Sequence, residues 1–210
     1  MSFTDMPIIT YIIIGITVLI SMQGFSSKDF SYKMSFSPYL AKHYNQKSRF
    51  FTHMFVHSDF GHLFFNMFSF YMFGNFLEGE LILEYGLLKG EVVYVTLYLL
   101  GGLFATLWPF MRNQDNDHYY SVGASGAVSA VIFACIIWMP DLRMGLLIIP
   151  VMVPGYIFGP LYLAFEFFAF RYGKSNIAHD AHIGGALFGI VYILIINIDK
   201  GKEFINQIFN

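Results

Sequence analysis

Six apolar stretches, each near the length needed to cross a lipid bilayer as a helix, dominate this sequence. They run about Pro7–Met22, Gly61–Leu77, Val92–Met111, Gly123–Met139, Met144–Phe170 and His179–Ile198. A helix needs roughly 20 apolar residues to span the hydrocarbon, and in lipid every backbone N–H and C=O must find a partner within the protein. Helices meet that demand locally, and the alternating pattern of a membrane barrel is absent from the sequence. The sequence therefore predicts an all-α polytopic membrane protein, a single six-transmembrane-helix bundle over residues 1–210. Charged residues make up only 12% of the chain and hydrophobic ones 56%, whereas soluble domains carry about 25% charge.

Charge and cysteine content remove whole classes of function. Net charge is −2 with no basic stripe, so no nucleic-acid partner is expected, because phosphate recognition needs clustered Lys and Arg. Cys135 is the single cysteine, which rules out an intrachain disulfide and a thiolate metal cluster. No Lys or Arg precedes Lys28, so Pro7–Met22 reads as a retained membrane helix rather than a cleaved signal. The long connection Gln23–Thr52 carries Lys28, Lys33, Lys42, Lys47 and Arg49, and a loop of that length in a compact domain is usually functional. An even number of spans puts both termini on one side. If that side is cytoplasmic, the inner segments hold four basic residues (Lys89, Arg143, Lys200, Lys202) and the outer ones eight, opposite to the positive-inside rule.

Polar groups inside the spans point to chemistry, since each is costly in lipid. His62 and Asn66 stand i, i+4 on one face of the second span. Ser125 and Ser129 lie in the fourth, Glu166 late in the fifth, and His179, Asp180 and His182 open the sixth. Ser125 sits between Gly123 and Gly126 at a helix start, where unpaired N–H groups and the dipole favour developing negative charge. Gly185 and Gly189 form a close-packing face on the side of His182. Small residues on both helices would let a serine and a histidine approach to hydrogen-bonding distance, as base catalysis requires. Asp180, two residues from His182, points about 200° away around the helix, and Glu166 is near the far end of its own helix. A Ser–His dyad is therefore expected rather than a triad, with His179 and Ser129 as supporting neighbours. Pro150, Pro154, Gly155, Gly159 and Pro160 make the fifth span a poor rigid helix, and it is expected to move to admit substrate laterally.

In these motifs the chain resembles the rhomboid family, over about residues 49–196. Arg49-Phe50-Phe51-Thr52-His53-Met54-Phe55-Val56-His57 resembles the family's entry to its second helix, and His62-Leu63-Phe64-Phe65-Asn66 matches its HxxxN element, with Gly74 and Glu78 following. Gly123-Ala124-Ser125-Gly126 matches GxSG, and Ala181-His182-Ile183-Gly184-Gly185-Ala186-Leu187-Phe188-Gly189 matches AHxxGxxxG. The resemblance implies an intramembrane serine endopeptidase that cuts transmembrane-helix substrates near helix-weakening residues. Ser125 would be the nucleophile and His182 the base, with His62, Asn66 and the Ser125 N–H forming the oxyanion hole. It implies no cofactor and no metal, a water-filled cavity on the non-cytoplasmic side of a bacterial inner membrane, and a cytoplasmic N-terminus. Asn176 and His118 are placed to guide water. Two positions depart from the pattern: Ser48 precedes Arg49 where an aromatic is common, and Ser129 stands where a Tyr or Phe usually stacks on the catalytic imidazole.

Two rivals were weighed against this expectation. One is a catalytically silent rhomboid-like protein that binds membrane helices, which the joint presence of Ser125, His182, His62 and Asn66 disfavours. The other is a metal-dependent protein built on His53, His57, His62, His118 or His182, disfavoured by the absence of HExxH and the scarcity of carboxylates beside those histidines.

Overall fold

The computed structural model describes residues 7–145, 151–173 and 177–209. All six apolar stretches contain helix. They correspond to α1 (Ile9–Ser26), α5 (Phe60–Tyr85), α6 and α7 (Leu87–Ala105, Leu107–Asn113), α8 (Ser125–Trp138), α9 (Gly155–Tyr172) and α10 (His179–Ile196). Three segments, Ile9–Ser26, Leu87–Asn113 and His179–Ile196, are long and apolar enough to cross a membrane, and α8 is apolar but shorter. The protein is an all-α polytopic bundle.

Its axis is α8, twelve of whose fourteen residues are buried. Such an all-round apolar helix belongs in the middle of a bundle, and α5, α6, α9 and α10 surround it. Phe70, Leu77, Tyr94, Tyr98, Val131 and Ile193 fill the space between them. Fourteen residues rise about 21 Å, less than the ~30 Å hydrocarbon thickness. A helix of this length cannot reach both faces of such a layer.

The long first loop is ordered by short helices: α2 (Lys28–Met34), α3 (Pro38–His43), α4 (Arg49–Thr52) and a 3-10 turn at His53–Phe55. Ser27 and Ser37 accept from backbone N–H groups to start α2 and α3, and Pro38 sits in the first turn of α3, where its missing N–H costs nothing. Arg49 is buried and donates to the carbonyls of Tyr32 at 2.7 Å and Ser35 at 2.6 Å and to Gln46 Oε1 at 2.7 Å. It is an internal cross-link of the loop, so it does not count as a free surface cation in the side-to-side balance of charge. Phe36 exchanges backbone hydrogen bonds with Ser121, which ties this loop to the segment that leads into Ser125.

Two features differ from expectation. Among the described residues the fifth stretch is helical from Gly155; β1 (Arg143–Met144) pairs antiparallel with β2 (Val153–Pro154), and Pro154-Gly155 starts a helix better than it continues one. Pro150 lies outside the described residues. Beyond the sixth stretch an amphipathic α11 (Ile198–Phe209) follows, its Lys200–Glu203 and Lys202–Asp199 pairs outward and Phe204 against the core.

Candidate active site

Residues 53–57 hold the turn before α8. The Gly123 N–H donates to the His53 carbonyl at 2.9 Å, and Gly123 has φ +116°, a conformation that favours glycine. The Ala124 N–H donates to His57 Nε2 at 3.4 Å. His57 must then carry its proton on Nδ1, which lies 2.9 Å from Ser21 Oγ, and the Ser21 hydroxyl passes its own hydrogen to the Phe55 carbonyl at 2.9 Å. This chain works only with a neutral imidazole. Burial, with the charge of His62 as a smaller cause, lowers His57 to about 3, and burial lowers His53 to about 4. Ser125 follows as the first residue of α8, half-buried, with the unpaired amides of the helix start around it.

His62 and Asn66 lie in the first two turns of α5, which Asp59 caps by accepting the His62 N–H at 2.8 Å. Ser58 Oγ lies 3.0 Å from His62 Nδ1 and fixes the ring, whose Nε2 edge faces Gly123: a Cβ built there would stand 2.7 Å from it. His62 is also close enough to His182 for their charges to interact. Asn66 is buried and gives one amide hydrogen to the His62 carbonyl at 3.0 Å, which leaves its second for another acceptor.

The sixth-span histidine reaches this place because α8 and α10 touch backbone to backbone. A Cβ at Gly185 would lie 2.0 Å from the Gly126 carbonyl oxygen, and one at Gly189 2.1 Å from that of Ala130. No side chain fits at either position. Ser125 and His182 each stand next to this seam, since a Cβ at Gly126 would lie 3.5 Å from the Ala181 carbonyl oxygen.

The expectation that no carboxylate reaches His182 is overturned. Glu166 Oε1 lies 3.0 Å from His182 Nδ1, and Glu166 Oε2 lies 2.5 Å from His179 Nδ1. Both Glu166 and His179 are buried. Tyr162, one turn earlier on α9, lies near enough to Glu166 and Ser129 to interact with both. The physical reason is helix direction: α9 and α10 are consecutive and antiparallel, so a residue late in one is level with a residue early in the next. Asp180 does face elsewhere, as its spacing implies, with its carboxylate on the Ala181 N–H and 3.8 Å from Arg112. His118 is exposed beside Asp117, and Asn176 lies outside the described residues. Glu166, His57, Ser58 and Tyr162 are the members that sequence reasoning did not assign to the site. For Glu166 the signal was present, a lone acidic residue in an apolar span.

The fold and the site define a polytopic membrane protein with a serine at one helix start, a histidine on the neighbouring helix and a second histidine–asparagine pair beside them. The Rhomboid domain matches residues 44–198. Residues of the chain are 31% identical over 159 positions to RHOMBOID-like protein 12, mitochondrial, of Arabidopsis thaliana, covering 72% of this chain and 46% of that protein. Presenilin-associated rhomboid-like protein A, mitochondrial, of Danio rerio is 31% identical over 109 residues, 50% of this chain and 28% of its own length. The human presenilin-associated rhomboid-like protein, mitochondrial, is 28% identical over 107 residues with the same coverage. The chain belongs to the rhomboid family, whose members are in general intramembrane serine proteases. It spans less than half the length of these three relatives. They are named as mitochondrial proteins, and nothing in them supports the bacterial inner membrane expected from sequence.

Proposed function

We propose that this chain is an intramembrane serine endopeptidase acting on transmembrane protein substrates, with six spans and a water-accessible site recessed in the bilayer. The observation that carries the reading is the backbone seam between α8 and α10, which brings the GxSG turn and His182 together beside His62. In the first step Ser125 Oγ attacks the scissile carbonyl while His182 Nε2 takes its proton. The resulting oxyanion is received by the Ser125 N–H, the free amide hydrogen of Asn66 and His62 Nε2–H. Ser58 gives its hydrogen to Asp59 Oδ2 at 2.8 Å, so Ser58 Oγ accepts from His62 Nδ1–H at 3.0 Å, and His62 donates from Nε2 as well in its doubly protonated form. His182 then gives its proton to the leaving amine, and water hydrolyses the acyl-enzyme by the reverse sequence. The short α8 supports this, because a helix of about 21 Å leaves one end inside a hydrocarbon layer of about 30 Å, and Ser125 opens that helix.

Substrate would enter past α9, whose buried residues are only Gly155, Gly159 and Glu166. A cross-link between α5 and α9 then stops turnover of membrane substrates; undiminished turnover would sink lateral entry. By likeness to the named relatives, a mitochondrial membrane is the compartment to test first. The central experiment is cleavage of a model transmembrane substrate by the purified chain, compared with Ser125→Ala and His182→Ala. Both variants lose cleavage on this reading, and undiminished cleavage by either overturns it.

A further inference from the structure

Glu166 is an unusual residue to find on α9. The helix turns Leu161, Phe165, Phe167 and Phe168 outward, each at least half exposed, and such a surface suits lipid. Its buried positions are two glycines and this one acidic side chain, which is 3% exposed. A carboxylate taken out of water is costly unless donors surround it. Here two ring nitrogens do, those of His182 and His179, with the Tyr162 hydroxyl close by.

The arrangement fixes a tautomer. An ionised carboxylate has no hydrogen to give, so the proton in each contact with imidazole must sit on Nδ1. His182 is then left with its lone pair on Nε2, the atom a base offers to a serine hydroxyl, and when it becomes imidazolium the carboxylate stabilises the new charge. His179 and Tyr162 keep Glu166 in place for this. Ser129 stands where a stacking ring is common and lies beside Tyr162, while His182 is oriented by its hydrogen bond to Glu166.

We infer that Glu166 is the positioning residue of the catalytic histidine, so that the site works as a Ser125–His182–Glu166 relay braced by His179 and Tyr162. This rests on the proteolytic reading above. Other charged groups within electrostatic reach of His182 are His62 from α5 and, on its own helix, Asp180, whose carboxylate points to Arg112. Among the described residues, Glu166, His179 and His182 are also the one cluster compact enough to hold a metal ion. The positioning role is favoured because each oxygen already meets its own ring nitrogen, and because the reacting histidine would be consumed as a ligand.

The test uses the full chain in detergent, with kcat, KM and the pH dependence of cleavage, fluorophosphonate labelling of Ser125 and thermal melting. Glu166→Gln lowers kcat by about 10³–10⁴ with KM little changed, since its amide can donate to Nδ1 and draw the proton onto the wrong nitrogen. The acidic limb of its pH–rate profile moves to lower pH, because the imidazolium has lost its counter-charge. Glu166→Asp recovers at least tenfold of the loss and restores the position of that limb. A brace with no catalytic part would lower the melting temperature and leave the limb unmoved, and that result overturns the inference. Loss of cleavage on chelation, restored by zinc, also overturns it. Should the glutamine variant fail to fold, the unmodified protein decides. A carboxylate-bonded Nδ1–H of His182 gives a strongly downfield proton resonance that is lost in His182→Gln, and its absence refutes the contact. If Ser125→Ala is inactive while Glu166→Gln stays within threefold of the parent, the protease stands and the positioning role falls. Cleavage that survives in Ser125→Ala removes the protease itself.

Discussion

Gly185→Ala isolates the seam between α8 and α10 that the proposed nucleophile Ser125 and base His182 flank. The added methyl would start 2.0 Å from the Gly126 carbonyl oxygen and 2.9 Å from its carbon, whereas ordinary contact begins near 3.4 Å. Both atoms in the way are backbone, inside helices that cannot bend locally, so α10 has to retreat from α8 by about 1.4 Å. Overpacking of this kind costs about 1–3 kcal/mol in stability, which leaves much of the protein folded. The catalytic effect is larger, because a displacement of about 1 Å at reacting groups lowers turnover about 10²-fold. The expected result is a folded enzyme with kcat down by about two orders of magnitude. Gly79→Ala is the control, since a Cβ there meets nothing within 4 Å and alanine stabilises a helix by about 1 kcal/mol. Substrate cleavage and thermal melting are measured side by side for both variants. Turnover of Gly185→Ala within threefold of the parent would refute the argument that the seam sets the distance between the two groups.

Three further outcomes follow from the described contacts. His62→Ala and Asn66→Ala each reduce kcat by about 10²–10³, the usual loss for one oxyanion donor, with fluorophosphonate labelling of Ser125 weakened in parallel. Glu78→Gln lowers the melting temperature: Glu78 Oε1 accepts from the Ile9 N–H at 2.8 Å and Oε2 from the Thr10 N–H at 2.9 Å, and an amide can serve only one of them. Leaving the other unmet costs about 1–3 kcal/mol, or about 2–4 °C for each kcal/mol in a chain of this size. Acid destabilises the fold through His53 and His57. Folded, they hold values of about 4 and 3; unfolded, they take up protons near pH 6.5. The unfolded state therefore binds two more protons as pH falls from about 6.5 towards 4, and stability drops with a slope approaching about 2.7 kcal/mol per pH unit. Melting curves from pH 7.5 to 5 read this directly, and His57→Gln flattens the slope by about half.

Much of the site was legible because its members carry signals that survive in a single sequence. Ser125 between glycines, His62 and Asn66 one turn apart, and Gly185 and Gly189 on the face of His182 each combine residue type with helical spacing. Glu166 was seen as a polar intruder yet set aside, because its place along its own helix was judged without the neighbour that runs the other way. Depth, not position in a helix, decides which residues meet across antiparallel spans. The role of His57, though the residue stands in the motif, left no trace for a different reason. Its role is to receive a backbone amide 67 residues away, and backbone partners leave no trace in side-chain patterns. The short antiparallel pairing of Arg143–Met144 with Val153–Pro154 and the helix from Ile198 leave no signal in long apolar runs.

The pairing of Glu78 with the start of α1 also bears on how the chain is made. Ile9 and Glu78 are 69 residues apart, so at about 5–20 residues per second the carboxylate is synthesised roughly 3–14 seconds after the amides it serves. Until then the first turn of α1 has N–H groups without a protein partner, and an α5 that entered lipid alone would bring a bare carboxylate with it. Each is unfavourable in hydrocarbon and each removes the other's cost on contact. Contact between the first and fifth helices thus removes two costs of insertion at once, which favours their settling in the membrane as a pair.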